Sequence, residues 1–431
     1  MLLTISDSGI FEFFCELIVL LVGAYGLVFL VKMLQRSRPG LAIGIPVAVA
    51  FGVRILAARG VGQLSVSQDL RGGDELTFVF RAKELVGSSL GGADSLDKLT
   101  SQLHTFIFSL DYRVFSLDAP KDLLRFQMVL FAVIGLALLS AAVYELAGPK
   151  AALFAAWVLA FEPTNVFFSG ILHKESLMFM SEGLVAFGGA TLWKRGNFSA
   201  LAPMILGCLV AVATRPYAGW FLAAAAAAVV LHASLTRHRG LRSLALTAAV
   251  VLGIAAFIPV VWDASSHKNL KELQSSQDAN TANTQANLSL ERVDYSTREN
   301  LILNMPQRVF DVIFRPYVWQ TRNVSQQLGA LGTLVVLACL ALLAQALARN
   351  RRAIMQRAGP LVYPALFMLV AYALSAGNAG TAFRYRSHIV GLALCLLIVL
   401  HEHRREENEA ARARVYRPRL LEPIDRRKVV A

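Results

Sequence analysis

The residues of this sequence best equipped for chemistry sit where long apolar segments break. In SQDLRGGDELTFVFRAKELV, Gly72 and Gly73 interrupt the chain, and Asp74 and Glu75 open an expected helix. A carboxylate held at such a break serves as a general base or a metal ligand, and Asp69 is a further candidate in the same stretch. The same acids also suit an ordinary first turn, where they cap free amides and complement the helix dipole. A second grouping, His173, Lys174 and Glu175, stands in ILHKES. Lys174 there binds a phosphate and Glu175 lies beside Asp74, or Lys174 snorkels and Glu175 caps the next helix. Arg215 stands in ATRPYAGW, and Arg384 and Arg386 in GTAFRYRSH. Guanidinium forks match phosphate oxygens, although arginines at a lipid boundary also anchor to headgroups. Tyr217 and Tyr385 beside them supply hydroxyl donors or belong to an interfacial aromatic belt. Arg315 in FRPYVWQ joins that set or contacts headgroups.

The elements that carry these groups follow from composition. Of 431 residues, 56% are hydrophobic and only 16% are charged, with a mean hydropathy of +0.53. Soluble domains carry about 25% charge, so lipid is the solvent for most of this chain. Cys15, Cys208, Cys339 and Cys395 all lie in apolar runs and read as small core residues, not as a metal or disulfide set. A net charge of +13 raises nucleic acid as a partner, but the basic residues fall in short loops and the C-terminal tail, which reports topology instead. Segments long enough to cross about 30 Å of hydrocarbon occur near 11–32, 41–58, 123–147, 151–168, 176–193, 198–214, 217–235, 242–262, 326–348, 360–378 and 386–402.

The expected fold is therefore an all-α polytopic membrane protein of about eleven spans, the first being a retained span. Basic residues alternate between connections: Lys32, Arg36 and Arg38; Lys150; Lys194 and Arg195; Arg237, Arg239 and Arg242; then Arg349, Arg351, Arg352 and Arg357. The positive-inside rule places these in the cytoplasm, the N-terminus outside, and the tail of 404–431 inside, after a membrane domain of 1–403. Connections 59–122 and 263–325 then form outward caps. The second opens on a polar stretch, SSQDANTANTQANLSLE, expected to be mobile, and continues as an amphipathic helix at the membrane surface. No internal repeat is evident.

With Gly73-Asp74-Glu75 followed by Phe78 in a first outer loop, the chain resembles the C-type (GT-C) glycosyltransferase superfamily, in its branch of aminoarabinose transferases and protein mannosyltransferases. The resemblance implies that Asp74 is the catalytic carboxylate, with Glu75 next. It also implies that Glu175 is the acid of the second outer loop, and that Lys174, Arg215, Arg384 and Arg386 hold a donor phosphate. Phe78 replaces the family's usual tyrosine, and a glutamate stands where an aspartate is usual. The implied partners are a polyprenyl-phosphate sugar donor, the bilayer of a bacterial inner membrane, and a glycan, lipid or protein acceptor. A divalent metal remains open, and no nucleic acid is expected. Two other activities fit the same sequence: a polymerase or ligase of lipid-linked polysaccharide, and a transporter or flippase of an anionic lipid-linked solute.

Overall fold

The computed structural model of the chain describes residues 7–63, 74–117, 120–236, 247–248, 250–252, 267–282, 290–320, 324–349, 354–377 and 379–421. Its helices are Asp7–Arg36 (α1), Gly44–Gln63 (α2), Asp74–Val86 (α3), Ala93–Ser101 (α4), Leu103–Phe115 (α5), Lys121–Phe161 (α6), Pro163–Ser169 (α7) and Glu175–Arg195 (α8). They continue as Leu201–Thr214 (α9), Pro216–Thr236 (α10), His267–Ala282 (α11), Arg298–Phe314 (α12), Val324–Arg349 (α13), Ile354–Ser375 (α14) and Ala379–Leu421 (α15). No strand occurs among the described residues.

Six of these helices, rather than eleven, are long and apolar enough to cross a membrane among the described residues: those containing Ile10–Arg36, Lys121–Phe161, Pro216–Thr236, Gly332–Arg349, Ile354–Ser375 and Gly380–Ala413. The difference from the expected count has local causes. The expected spans 123–147 and 151–168 are one helix broken at Gly148, whose φ of +85° favours glycine. Pro149 starts the second arm, where a missing amide costs little. The segment doubles back as a hairpin, because Arg125 near its start and Ala160 near its end both touch groups at one end of the bundle, while Glu145 and Pro149 lie at the other. Helices α2 and α8 cover the expected spans 41–58 and 176–193, yet each buries charge, Arg54 in one and Glu182 in the other. The expected span 198–214 yields the short α9, and 242–262 lies mostly outside the described residues.

Small residues set the closest packing. A Cβ on Gly183 of α8 would lie 2.7 Å from the Gly135 carbonyl oxygen of α6, so the two backbones approach as only glycines allow. At the end away from the site, Glu145 binds Arg38 and Arg195, each at 2.8 Å. Basic residues of two alternate connections thus gather on one acid.

The opposite end is capped by α3, α4 and α5, which lie wholly within connection 59–122 among the described residues. In the second long connection, part of the polar stretch expected to be mobile is ordered within α11, where Asp278 accepts from Gln274 at 2.9 Å and pairs with Arg292 at 2.6 Å. The amphipathic helix follows as α12, capped by Thr297 on the Asn300 amide and exposing Ile302, Leu303 and Phe310. Helix α15 runs through residue 403 to Leu421, its surface carrying pairs such as Arg405 with Glu409 at 2.9 Å. All four cysteines are free.

One cap residue yields a pH prediction. Asp111 on α5 accepts a hydrogen bond from Gln127 of α6 at 3.3 Å, and its Oδ2 has no hydrogen-bond partner among the described residues. Burial pushes its carboxyl up to about 7. Because the ordinary value is near 4, the folded protein holds a proton that the unfolded chain has released between about pH 4 and pH 7. Stability therefore falls as pH rises through that window. Asp111→Asn is expected to flatten the decline, with the gain in unfolding midpoint largest above pH 7. Parallel wild-type and variant profiles in detergent would overturn the assignment.

Candidate functional site

The site lies where α3, the connection before α8, the turn between α9 and α10, and the start of α15 meet. Asp74 opens α3 with its side chain 57% exposed, and its Oδ2 pairs with Arg384 at 3.2 Å. The same Arg384 Nη1 donates to His173 Nδ1 at 2.9 Å. The remainder of that guanidinium makes no hydrogen bond to the described protein, so a planar fork stays available for an anion. Asp74 and Arg384 are 310 residues apart in sequence, and only the folding of α15 against the cap brings them together.

Behind this pair lies a buried one. Glu175 is the first residue of α8, and its Oε1 accepts from Arg215 Nη2 at 3.0 Å, with both side chains under 8% exposed. Burial alone would raise the Glu175 carboxyl, but Arg215, Arg384 and His173 outweigh it and hold the group well below the usual range. Arg215 is also stacked over the Tyr385 ring at 4.7 Å, and Tyr385 shares a 2.8 Å hydrogen bond with Tyr217. The two hydroxyls expected to serve a ligand are therefore engaged with each other, and the rings act as walls around the cation.

Lys174 projects over the Phe78 ring at 5.6 Å. Burial, reinforced by Arg215, pushes its ammonium down to about 8. Phe78 is wedged edge-on between His104 at 4.4 Å and His173 at 6.1 Å. It thus supplies a floor for Lys174 rather than a hydroxyl. Three cations, Lys174, Arg215 and Arg384, face two carboxylates, Asp74 and Glu175, which leaves the cluster with positive charge to spare for an anion.

Several expected members are placed elsewhere. Glu75 turns inward, pairs with Arg125 at 3.2 Å and accepts the Leu172 amide at 3.2 Å. That arrangement ties the cap to the bundle and takes Glu75 away from Asp74. Arg386 does not join Arg215 and Arg384. Two residues beyond Arg384 on a helix it faces a different way, and it donates to the carbonyls of Ile313 and Arg315 at 2.9 and 3.2 Å and to Thr333 at 2.9 Å. Arg315 pairs with Asp311 and Glu291, both at 3.1 Å, in a separate cluster. Asp69 lies outside the described residues.

Other groups carried no sequence signal beyond being polar. Glu162 caps α7 by accepting the amides of Thr164 and Asn165 at 3.0 and 2.6 Å. Arg54 caps the end of α6 through the Leu159 and Ala160 carbonyls at 2.9 and 3.0 Å. His104 is buried beneath Phe78, and burial, with Lys174 and His173 nearby, lowers its titration well below the ordinary value. Among the described residues no three His, Cys, Asp or Glu side chains are grouped to hold a metal ion. Comparison with known proteins finds no matching family model, no matching curated protein and no matching solved structure.

Proposed function

We propose that this chain is a membrane glycosyltransferase that moves a sugar from a polyprenyl-phosphate donor to an acceptor hydroxyl outside the cytoplasm of a bacterial cell, in envelope or exopolysaccharide synthesis. The observation that carries this reading is the exposed Asp74 carboxylate set 3.2 Å from an arginine that retains a free fork, beside Lys174, at one end of a bundle of apolar helices. A lipid-linked phosphate presents its charge at that depth, with its tail in hydrocarbon.

In the reaction so read, Asp74 accepts the proton of the acceptor hydroxyl. The acceptor oxygen bonds to the anomeric carbon as the bond from that carbon to the phosphate oxygen breaks, which inverts the centre. The leaving polyprenyl phosphate is stabilised by Arg384 and Lys174. Arg215 keeps Glu175 ionised, and Glu175 in turn fixes the start of the helix that carries Lys174. The orientation with the N-terminus outside and the tail in the cytoplasm belongs to this proposal.

The test is transfer of radiolabelled sugar from a polyprenyl-monophosphate donor by purified protein in nanodiscs, with envelope glycolipid as acceptor. Turnover only of an oligosaccharide on a diphosphate lipid would replace the proposal with the polymerase or ligase alternative. A pH prediction accompanies it. The Lys174 ammonium is charged below about pH 8 and neutral above it, so kcat/KM for the donor should fall as pH rises through that value. Lys174→Arg should move the alkaline limb upward by at least about one pH unit, since arginine does not titrate in this range. Identical limbs would remove Lys174 from donor binding.

A further inference from the structure

We propose that Glu182 and His388 form a proton-binding site inside the helix bundle, distinct from the surface cluster. Glu182 lies two turns past Glu175 on α8, about 10 Å deeper, and His388 lies one turn past Arg384 on α15. Exposure is 0% for Glu182 and 1% for His388. Glu182 Oε2 stands 3.6 Å from His388 Nδ1, and among the described residues neither carboxylate oxygen nor either ring nitrogen has a hydrogen-bond partner. Tyr372 of α14 stacks on His388 at 5.6 Å, and its hydroxyl likewise has no hydrogen-bond partner among the described residues.

Five orphaned polar atoms in one buried place need a ligand, because each unpaired group in a low-dielectric interior is costly. A carboxylate with a neutral imidazole would leave an uncompensated negative charge. One added proton, drawn from water, neutralises the pair whether it rests on oxygen or on nitrogen. Imidazole beside a single carboxylate and a phenol is a poor shell for a hard metal cation, which is held by several oxygen ligands, so the proton is the ligand of choice. Carboxylates and imidazoles buried within spanning helices mark proton relays.

The surroundings support one route for that proton. A cavity of about 10 Å³, close to the space of one water, is lined by Phe168 and Phe179 and by polar groups that include Ser169, Glu175, Ser387 and His388. It joins His388 to the buried end of the surface cluster. The other titratable groups facing the pair are Tyr372 from α14, Tyr385 from α15 stacked on Tyr372 at 4.5 Å, and Arg215 with Tyr217 behind them. Helices α6 and α9 meet this part of α8 with Gly135, Leu138 and Gly207, none of which titrates. A charge gained by His388 acts on Glu175, which gives the pair a means of informing the surface cluster. The inference is independent of the transferase reading.

Infrared difference spectra of the full chain in nanodiscs, taken between acid and alkaline buffer, provide the test. Wild type should show a titrating carboxylic C=O band that Glu182→Gln lacks, and His388→Gln should shift the midpoint of that band by at least about one pH unit. Should Glu182→Gln fail to accumulate, Glu182→Asp retains the acid and should move the band in frequency. A band unchanged in the Glu182 variants, a midpoint unaffected by His388→Gln, or displacement of the band by sodium in place of potassium would each overturn the proposal.

Discussion

Asp74→Asn is expected to reduce sugar transfer by about 10²- to 10⁴-fold, the contribution of a positioned general base, while the protein still inserts and accumulates. The amide keeps the shape and the polarity of the first helical turn, so the cap tolerates the change. What is lost is the oxygen that takes the acceptor proton, together with the charge that pairs with Arg384 at 3.2 Å. Glu75→Gln should behave differently. Glu75 is buried against Arg125, so its loss leaves that guanidinium with Asp122 as its remaining carboxylate and weakens the attachment of the cap, with an effect on stability larger than that on the chemical step. Transfer rates of the two variants, normalised to folded protein, separate these roles. Full activity in Asp74→Asn would reduce that residue to a helix cap and leave the transferase reading without its base.

Arg215→Ala should destabilise the protein by about 3–5 kcal/mol, because it strands the Glu175 carboxylate where it is buried away from bulk solvent. Glu175→Gln should cost a comparable amount by stranding Arg215 between Tyr385 and Tyr372. Replacing both together, Arg215→Met with Glu175→Leu, removes the two charges at once and should recover a large part of the loss. Apparent unfolding midpoints of the two single variants and the double variant in one detergent give the comparison. A double variant as unstable as the sum of the singles would show that the pair does not act as a unit. Arg384 offers the contrast, since its fork is only partly used by the protein. Arg384→Lys should weaken donor binding by about 1–3 kcal/mol with little change in midpoint.

Local chemistry wrote much of this protein into its sequence. The excess of apolar over charged residues dictated helices in lipid, since no other open structure satisfies its backbone there. The alternation of basic loops marked which connections share an end, and Arg38 and Arg195 do meet on Glu145 at one end of the bundle. The Gly72-Gly73-Asp74-Glu75 stretch marked a helix start, and α3 begins at Asp74. Types and positions also singled out Asp74, His173, Lys174, Glu175, Arg215 and Arg384, because ionisable side chains between apolar segments are costly unless they have partners.

Which partner each group takes was decided by tertiary structure alone. Asp74 and Glu75 are neighbours in sequence, but one helical step of about 100° sends one to the open site and the other into the bundle. Arg384 and Arg386 divide in the same way, one reaching the cap and the other binding the carbonyls of the corner after α12. The hairpin within α6 turns on a single positive φ at Gly148, which no apolar count registers. Glu182 and His388 lie inside runs that read simply as spans, and their approach to 3.6 Å depends on the register between α8 and α15. Pattern and composition report the solvent each segment meets, because that is a local preference. Pairings between residues hundreds of positions apart depend on helix rotation and on close backbone contacts such as Gly135 with Gly183, and those exist only once the bundle has packed.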